Sequence, residues 1–166
     1  LEVLRWARAN GCPWDELTCE FAAVGGHLEV LLWAHANGCP WAERTSEEIC
    51  ERAAEGGHLE VLRWARAHGY PWDEQTCINA AAYGHLEALQ WAHTNGCPWN
   101  ETVCAVAADA GYLDILLWLR ERRGPSSPPC PWDARTCSWA LANGHQEIIA
   151  WAHANGCPCG HGAGPA

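Results

Sequence analysis

Cysteine and histidine are the residue types in this chain with the greatest capacity for chemistry, and they number 11 and nine among 166 residues. Thiols and imidazoles bind zinc, and thiols in pairs form disulfides. The tightest grouping is Cys157, Cys159 and His161. Two thiols and one imidazole are one ligand short of a closed tetrahedral zinc site. The sequence therefore offers an incomplete candidate metal site at this end.

No pattern in the chain indicates catalysis. The sequence contains no glycine-rich phosphate-binding loop and no single nucleophile beside a unique base. Most cysteines and histidines recur at a fixed spacing, whereas an active site needs a single group of catalytic residues at one place. We therefore expect no enzymatic activity and no cofactor, and the cysteine and histidine content leaves a metal-binding or redox protein as the alternative.

The composition limits the possible partners. The formal net charge is −10, which argues against nucleic acid as a partner, because nucleic-acid binding requires a basic surface. No apolar run approaches the roughly 20 residues that a membrane-spanning helix needs. The odd number of cysteines is typical of a reducing compartment, so we expect an intracellular protein.

The cysteines and histidines recur because the chain is built from internal repeats. Close copies of residues 27–41 (HLEVLLWAHANGCPW) begin at Leu1, His27, His58, His85, Tyr112 and His145. The step of about 27 residues falls in the range of stacked repeat proteins. We predict a single solenoid over 1–156, divided into 1–26, 27–57, 58–84, 85–111, 112–144 and a partial copy at 145–156. Residues 157–166 are predicted to be a flexible tail, and the incomplete first copy suggests part of a longer array.

Each copy is predicted to contain two helices. The second helix begins at the repeated histidine and is apolar over more than half its circumference, which predicts burial between neighbours. A Cys-Pro-Trp-Asp turn follows, in which Pro13 stops the helix and Asp15 caps the next one. The first helix of the next pair carries a stripe of small residues, such as Cys77, Ala80 and Ala81, which lets helices approach closely.

Residues 76–87 (TCINAAAYGHLE) resemble the ankyrin signature, in which Thr-Pro-Leu-His-x-Ala-Ala forms the first helix and Gly-His-Leu-Glu-Val opens the second. The resemblance extends over essentially 1–156. Thr-Cys-x-x replaces Thr-Pro-Leu-His, and a short Gly-Cys-Pro-Trp-Asp-Glu turn replaces the family's long finger. The resemblance implies an all-α fold, an α-solenoid of stacked helix-turn-helix ankyrin-like repeats lacking long β-hairpin fingers. It also implies that the function is protein–protein recognition.

Repeat geometry predicts how the cysteines are used. Equivalent positions on packed helices lie about 8–10 Å apart, which exceeds the Cα separation of about 4.4–6.8 Å that a disulfide allows. A ladder of disulfides is therefore excluded, whereas a pair within one unit, such as Cys12 and Cys19, is not. We expect the helix cysteines to act as small buried hydrophobic residues.

Tryptophan forms two series. The series on the second helices is predicted to lie in the core: Trp6, Trp33, Trp64, Trp91, Trp118 and Trp151. The series on the turns is flanked by acidic residues: Trp14, Trp41, Trp72, Trp99 and Trp132. The turn series has two interpretations, a stapled loop or an aromatic binding edge, since tryptophan is enriched at interface hot spots.

Residues 120–129 (RERRGPSSPP) depart most from the repeat and are predicted to form a protruding, proline-rich loop. Because only features that are not repeated can specify one partner, we expect this loop and the turns to bind a protein partner, as a scaffold or within a larger assembly. The predicted contact residues are Trp14, Asp15, Glu16, Trp41, Glu43, Trp72, Asp73, Glu74, Trp99, Arg120, Arg122, Arg123, Pro128, Pro129, Trp132 and Asp133.

Overall fold

The computed structural model describes residues 1–39, 43–121 and 128–159, with the backbone alone for Glu16 and for 43–47. These residues form 11 α-helices, and none of them lies in a strand. The helices are α1 (Glu2–Ala9), α2 (Glu16–Val24), α3 (Leu28–Ala36), α4 (Glu43–Glu55), α5 (Leu59–Ala67), α6 (Glu74–Ala82), α7 (Leu86–Thr94), α8 (Glu101–Asp109), α9 (Leu113–Arg120), α10 (Ala134–Ala142) and α11 (Gln146–Ala154).

The helices form two layers. The first helices of the pairs, α2, α4, α6, α8 and α10, pack against one another in chain order. Each second helix, α3, α5, α7, α9 and α11, packs mainly against the first helix that precedes it. This arrangement confirms the predicted all-helical solenoid of stacked helix-turn-helix repeats. Helix α1 has the sequence of a second helix and buries no residue.

Small side chains make up the contact between neighbouring first helices. The buried stripe on each first helix begins with a cysteine that is at most 4% exposed, and two buried alanines, or Ala140 alone on α10, follow one turn later. The second helices contribute a leucine row, Leu31, Leu62, Leu89 and Leu116, in which every member is fully buried. Burying one leucine side chain stabilises the fold by about 1.5–3 kcal/mol, so this row is a major part of the core.

The prediction that the second-helix tryptophans lie in the core is wrong for most of them. Only Trp64 is buried, at 8% exposure, whereas Trp6 is 67% exposed. Trp33, Trp91, Trp118 and Trp151 are half-buried. The reason is that the second helices form an outer layer with few contacts between its members, so their indole rings cover the edge of the core.

Capping side chains start the first helices. The side chain of Asp73 accepts a hydrogen bond of 2.9 Å from the backbone N–H of Gln75, which satisfies one of the unpaired donors at the start of α6. Equivalent bonds begin α2, α8 and α10, with the caps Asp15, Asn100 and Asp133. The predicted role of Asp15 as a cap is thereby confirmed.

The histidine that opens a second helix connects consecutive helix pairs. The Nε2–H of His58 donates to the carbonyl oxygen of Val24 at 2.7 Å. His85 and His145 make the same bond to the carbonyl oxygens of Glu55 and Asp109, at 3.0 and 2.9 Å. Each carbonyl belongs to the last residue of the first helix in the preceding pair, where helix carbonyls have no partner within their own helix. We call these three bonds the histidine clamps.

Glycine keeps the space that each histidine clamp needs. At Gly111 the backbone has a φ of +84°, and an added Cβ would lie 2.7 Å from Cε1 of His145. At Gly69 the φ is +82°, but an added Cβ would meet nothing within 4 Å. The two positions therefore carry the same backbone requirement, and only one of them borders a clamp.

We expect Gly111→Ala to destabilise the protein more than Gly69→Ala. A residue with a side chain costs about 1–2 kcal/mol in the left-handed conformation, so both variants should show that loss. Gly111→Ala should also displace the imidazole of His145 and weaken its bond to Asp109. Urea unfolding followed by circular dichroism measures the difference, and equal losses in the two variants would contradict a structural role for the clamp.

Candidate protein-binding face

The tryptophan of each described turn packs edge-on against a tryptophan of the following second helix. The ring centroids of Trp14 and Trp33 lie 5.3 Å apart, with an angle of 65° between the planes. The same contact recurs at 5.6–5.7 Å in Trp72–Trp91, Trp99–Trp118 and Trp132–Trp151. Edge-to-face pairs of this kind are worth about 0.5–1.5 kcal/mol beyond the area they bury.

A basic or imidazole side chain covers each described turn tryptophan. The guanidinium carbons of Arg8, Arg66 and Arg120 lie 4.6, 4.2 and 4.0 Å from the ring centroids of Trp14, Trp72 and Trp132. His93 stacks on Trp99 with the centroids 3.4 Å apart. The Nη1 of Arg120 also donates to the carbonyl of Cys130 at 2.6 Å, and Arg66 donates likewise to the carbonyl of Tyr70.

These contacts favour the stapled-loop interpretation of the turns. The predicted contact residues Trp14, Trp72, Trp99 and Trp132 are half-buried, and each ring is held by an indole and a cation or an imidazole. The carboxylates of Asp15, Asp73 and Asp133 cap helices. Glu74 is exposed. Glu16 and Glu43 each begin a helix, but their side chains are not described. Trp41 lies outside the described residues.

The predicted protruding loop is described only at its two ends. Helix α9 ends at Arg120, whose guanidinium is engaged with Trp132 and with the chain beyond the loop. Pro128 is exposed and Pro129 half-buried. Arg122 and Arg123 lie outside the described residues, so their contact with a partner stays a prediction.

A second surface was missed by the analysis of the sequence. On every first helix, the residues two before and two after the buried cysteine share a side that is not buried. They differ in type from one copy to the next: Leu17 and Phe21, Glu48 and Arg52, Gln75 and Asn79, Thr102 and Val106, Arg135 and Trp139. We call these ten residues the first-helix face. The sequence does contain a signal for this face. The two repeat positions on either side of the helix cysteine have no preferred residue type, whereas the cysteine and the two positions one turn after it hardly vary.

The chemistry of the first-helix face changes along the array. Leu17 and Phe21 on α2 are 45% and 68% exposed, which makes this end apolar. On α8 Thr102 and Val106 are small, and on α10 Arg135 lies 5.9 Å above the ring of Trp139 and pairs with the carboxylate of Asp133 at 2.8 Å. The face thus has an apolar end and an aromatic and cationic end.

The side chains in the middle of the face are polar and are held by ion pairs and hydrogen bonds. The Nε of Arg52 lies 3.1 Å from Glu20 in an ion pair that lacks hydrogen-bond geometry, and its Nη1 hydrogen-bonds Glu55 at 3.0 Å. On α6 the side-chain amide of Gln75 donates to Asn79 at 2.7 Å. Exposed ion pairs add only about 0–1 kcal/mol to stability, so their main effect is to hold the side chains in place.

In three of the helix-turn-helix units the helix cysteine contacts the turn cysteine, but Cys12 and Cys19 do not form such a pair. Cys12 is exposed, and the thiol of Cys19 contacts that of Cys39 in the turn that ends the same pair. The turn thiol also donates to the carbonyl of the cap residue, for example from Cys97 to Asp73 at 3.1 Å. The contacting pairs are Cys19–Cys39, Cys77–Cys97 and Cys104–Cys130.

The environment of these thiols makes them unreactive. The hydrogen bond to Cys97, together with burial, raises the pKa of Cys77 well above its usual range. Burial raises the pKa of Cys50 to about 12. Because the thiolate is the nucleophile and the metal ligand, protonated buried thiols serve the core, as predicted for the helix cysteines.

The candidate cluster near the end of the chain is only partly as predicted. Cys157 and Cys159 lie together, and Cys137 of α10 joins them, so that the three sulfurs are within 4.8 Å of one another. Cys137 and Cys159 form a disulfide with a Cα separation of 5.6 Å. His161 lies outside the described residues. Cys137 was missed because it occupies the repeated position of the buried helix cysteine.

Comparison with known proteins finds a family match for part of the repeat array. Residues 50–93 match the family model for ankyrin repeats in many copies. The segment runs from Cys50 in α4 to His93 in α7 and includes residues 76–87, on which the resemblance was based. The match bears out the ankyrin resemblance over this segment, and the other described pairs repeat the same packing. No curated protein matches the chain. Among the described residues, no helix is both long and apolar enough to cross a bilayer.

We expect thiol labelling to separate Cys12 from the cysteines of the core. With the reduced protein near neutral pH, a thiol reagent should modify Cys12 at once, because it is exposed. Cys19, Cys50, Cys77 and Cys104 should react only after urea is added. Mass spectrometry of tryptic peptides assigns the modified positions, and rapid native labelling of Cys77 would refute the burial described above.

Stability should fall in alkaline solution. The pKa of Cys50 is about 12 in the folded protein against an ordinary value of 9.0, so the unfolded chain loses this proton first. The stabilisation by the neutral thiol is therefore complete below about pH 9 and is lost as the pH rises towards 12. Urea midpoints measured from pH 7 to 11 should decline above 9, and Cys50→Ala should decline less steeply.

Proposed function

We propose that this protein is a non-enzymatic scaffold that binds a protein partner across the first-helix face. Ankyrin repeats generally mediate binding to protein partners, and residues 50–93 match such repeats. The observation that supports this surface in particular is its variability. Ten side chains differ between copies, although the cysteine and alanine positions beside them are nearly constant and buried.

The chemistry of the face suggests the kind of partner it fits. Glu20, Glu48 and Glu55 surround the guanidinium of Arg52, and the chain as a whole carries a net charge of −10. An apolar site at Phe21 lies on the preceding first helix. A partner surface with basic groups and an apolar anchor would complement this arrangement, since complementary potentials give specificity and fast association.

The turns and the loop have a smaller part in this proposal. The tryptophan rings and aspartate carboxylates of the turns are engaged in holding the repeats together, which reduces what they can offer a partner. Docking in a larger assembly through the loop at 120–129 remains a prediction. A general metal-binding or redox function lacks support, because the paired thiols of the core are buried.

The test is affinity purification with matched variants. The chain would be used as bait in cells that express it, together with Phe21→Ala and Trp139→Ala at the two ends of the first-helix face. Glu87→Ala on the exposed side of α7 is the control. Loss of an interface hot spot costs about 2 kcal/mol or more, or about 30-fold in affinity.

The expected result is a partner that the control retains and that at least one of the two face variants loses. Purified partner and titration calorimetry then give the loss in affinity. A partner retained by both face variants but lost on substituting Trp72 would transfer the binding site to the turns and would contradict the proposal for the first-helix face.

A further inference from the structure

One unit of the array contains a third thiol. In the turns the sequence after Cys-Pro is tryptophan at Trp14, Trp41, Trp99 and Trp132, but Cys159 takes this place after Cys157 and Pro158. Cys157 corresponds to the turn cysteines of the other pairs, and its Sγ likewise donates to a cap carbonyl, that of Asp133, at 3.4 Å. The extra sulfur therefore joins a pair that already exists in the fold.

The three sulfurs lie in a small apolar compartment. Cys137 is 4% and Cys157 8% exposed, and with Ala152 they form a cluster separate from the main core. Trp132 and Trp151 pack against this cluster, and Cys159 is half-buried at its edge. Two of the three thiols are thus buried, and the third is partly accessible.

We propose that Cys137, Cys157 and Cys159 in their reduced state form a binding site for a zinc-like divalent cation. Thiolate sulfur is a preferred ligand of such ions. The sulfurs already converge within 4.8 Å of one another, which small side-chain rotations can bring around one ion. Three thiolates leave a fourth coordination position, which a water molecule or a further ligand fills.

Metal binding at this site requires that the disulfide is first reduced. A thiol reductant supplies two electrons and two protons to the bond between Cys137 and Cys159, which yields two thiols. The cation then replaces the protons of all three thiols, so three protons are released for each ion bound. Oxidation and metal binding compete for the same sulfurs, so the disulfide form holds no ion.

The neighbouring units provide an internal comparison. The pairs Cys19–Cys39, Cys77–Cys97 and Cys104–Cys130 have the same helix and turn positions but only two sulfurs. Their thiols are buried and lack a third sulfur. The proposal therefore requires one ion per chain, bound at the unit that contains Cys159.

The experiment is a titration of the full chain with Co²⁺, with and without prior reduction, under anaerobic conditions. Charge-transfer absorption in the near ultraviolet reports bonds between thiolate and cobalt, and Zn²⁺ should displace the signal. The reduced chain should bind one Co²⁺, and the oxidised chain none. Binding by the oxidised chain, a stoichiometry above one, or no binding by the reduced chain would overturn the proposal.

Two variants locate the site. Cys159→Trp restores the tryptophan of the other turns, so the fold should persist, while affinity for Co²⁺ should fall by more than about 100-fold, beyond the 10–100-fold loss typical of outer-shell partners. Cys12→Ser removes an exposed thiol elsewhere and should leave binding unchanged. Equal affinity in Cys159→Trp and the parent chain, with circular dichroism showing both folded, would refute the assignment.

Discussion

The close approach of the first helices, made possible by cysteine and alanine at their contacts, is the constraint on which the rest of the structure depends. Cys77, Ala80 and Ala81 are fully buried between neighbouring helices, where a larger side chain would cost about 1–3 kcal/mol through overpacking. These positions therefore vary little where they are enclosed between two first helices. Outward positions such as Gln75 and Asn79 meet no such limit, so the packing that makes the array uniform also leaves one face open to variation.

The repeated and the variable residues therefore have different roles. The cap, the clamp and the turn tryptophan each recur in several of the described units, and each acts within the fold: Asp73 holds the start of α6, His85 joins two pairs, and Trp72 lies between Arg66 and Trp91. A side chain already engaged on several sides has less freedom to meet a partner. Specific recognition is therefore best placed on the first-helix face, whose residues are not repeated.

Local patterns allowed much of this fold to be predicted. The periodicity defined the helix pairs, Asp15 was recognisable as a cap from its place after proline, and small residues at helical spacing indicated buried cysteines. What could not be predicted depends on how the layers are arranged. Periodicity places Trp33 and Leu31 on the apolar side of a helix, but it does not show that the second helices form the outer layer. Because they do, Trp33 is half-buried whereas Leu31 is fully buried. The meeting of Cys137 with Cys159 likewise depends on the path of the turn in three dimensions.

The histidine clamps give the array a direction. Each bond runs from the start of a later second helix to the last carbonyl of an earlier first helix, as from His58 to Val24 and from His85 to Glu55. The bond from His145 to Asp109 uses the same pair of groups, whereas Tyr112 takes the place of the histidine at the start of α9. A unit that opens with this histidine can therefore be gained or lost by duplication or deletion without inventing a new joint, and the length of the protein can evolve independently of what it binds.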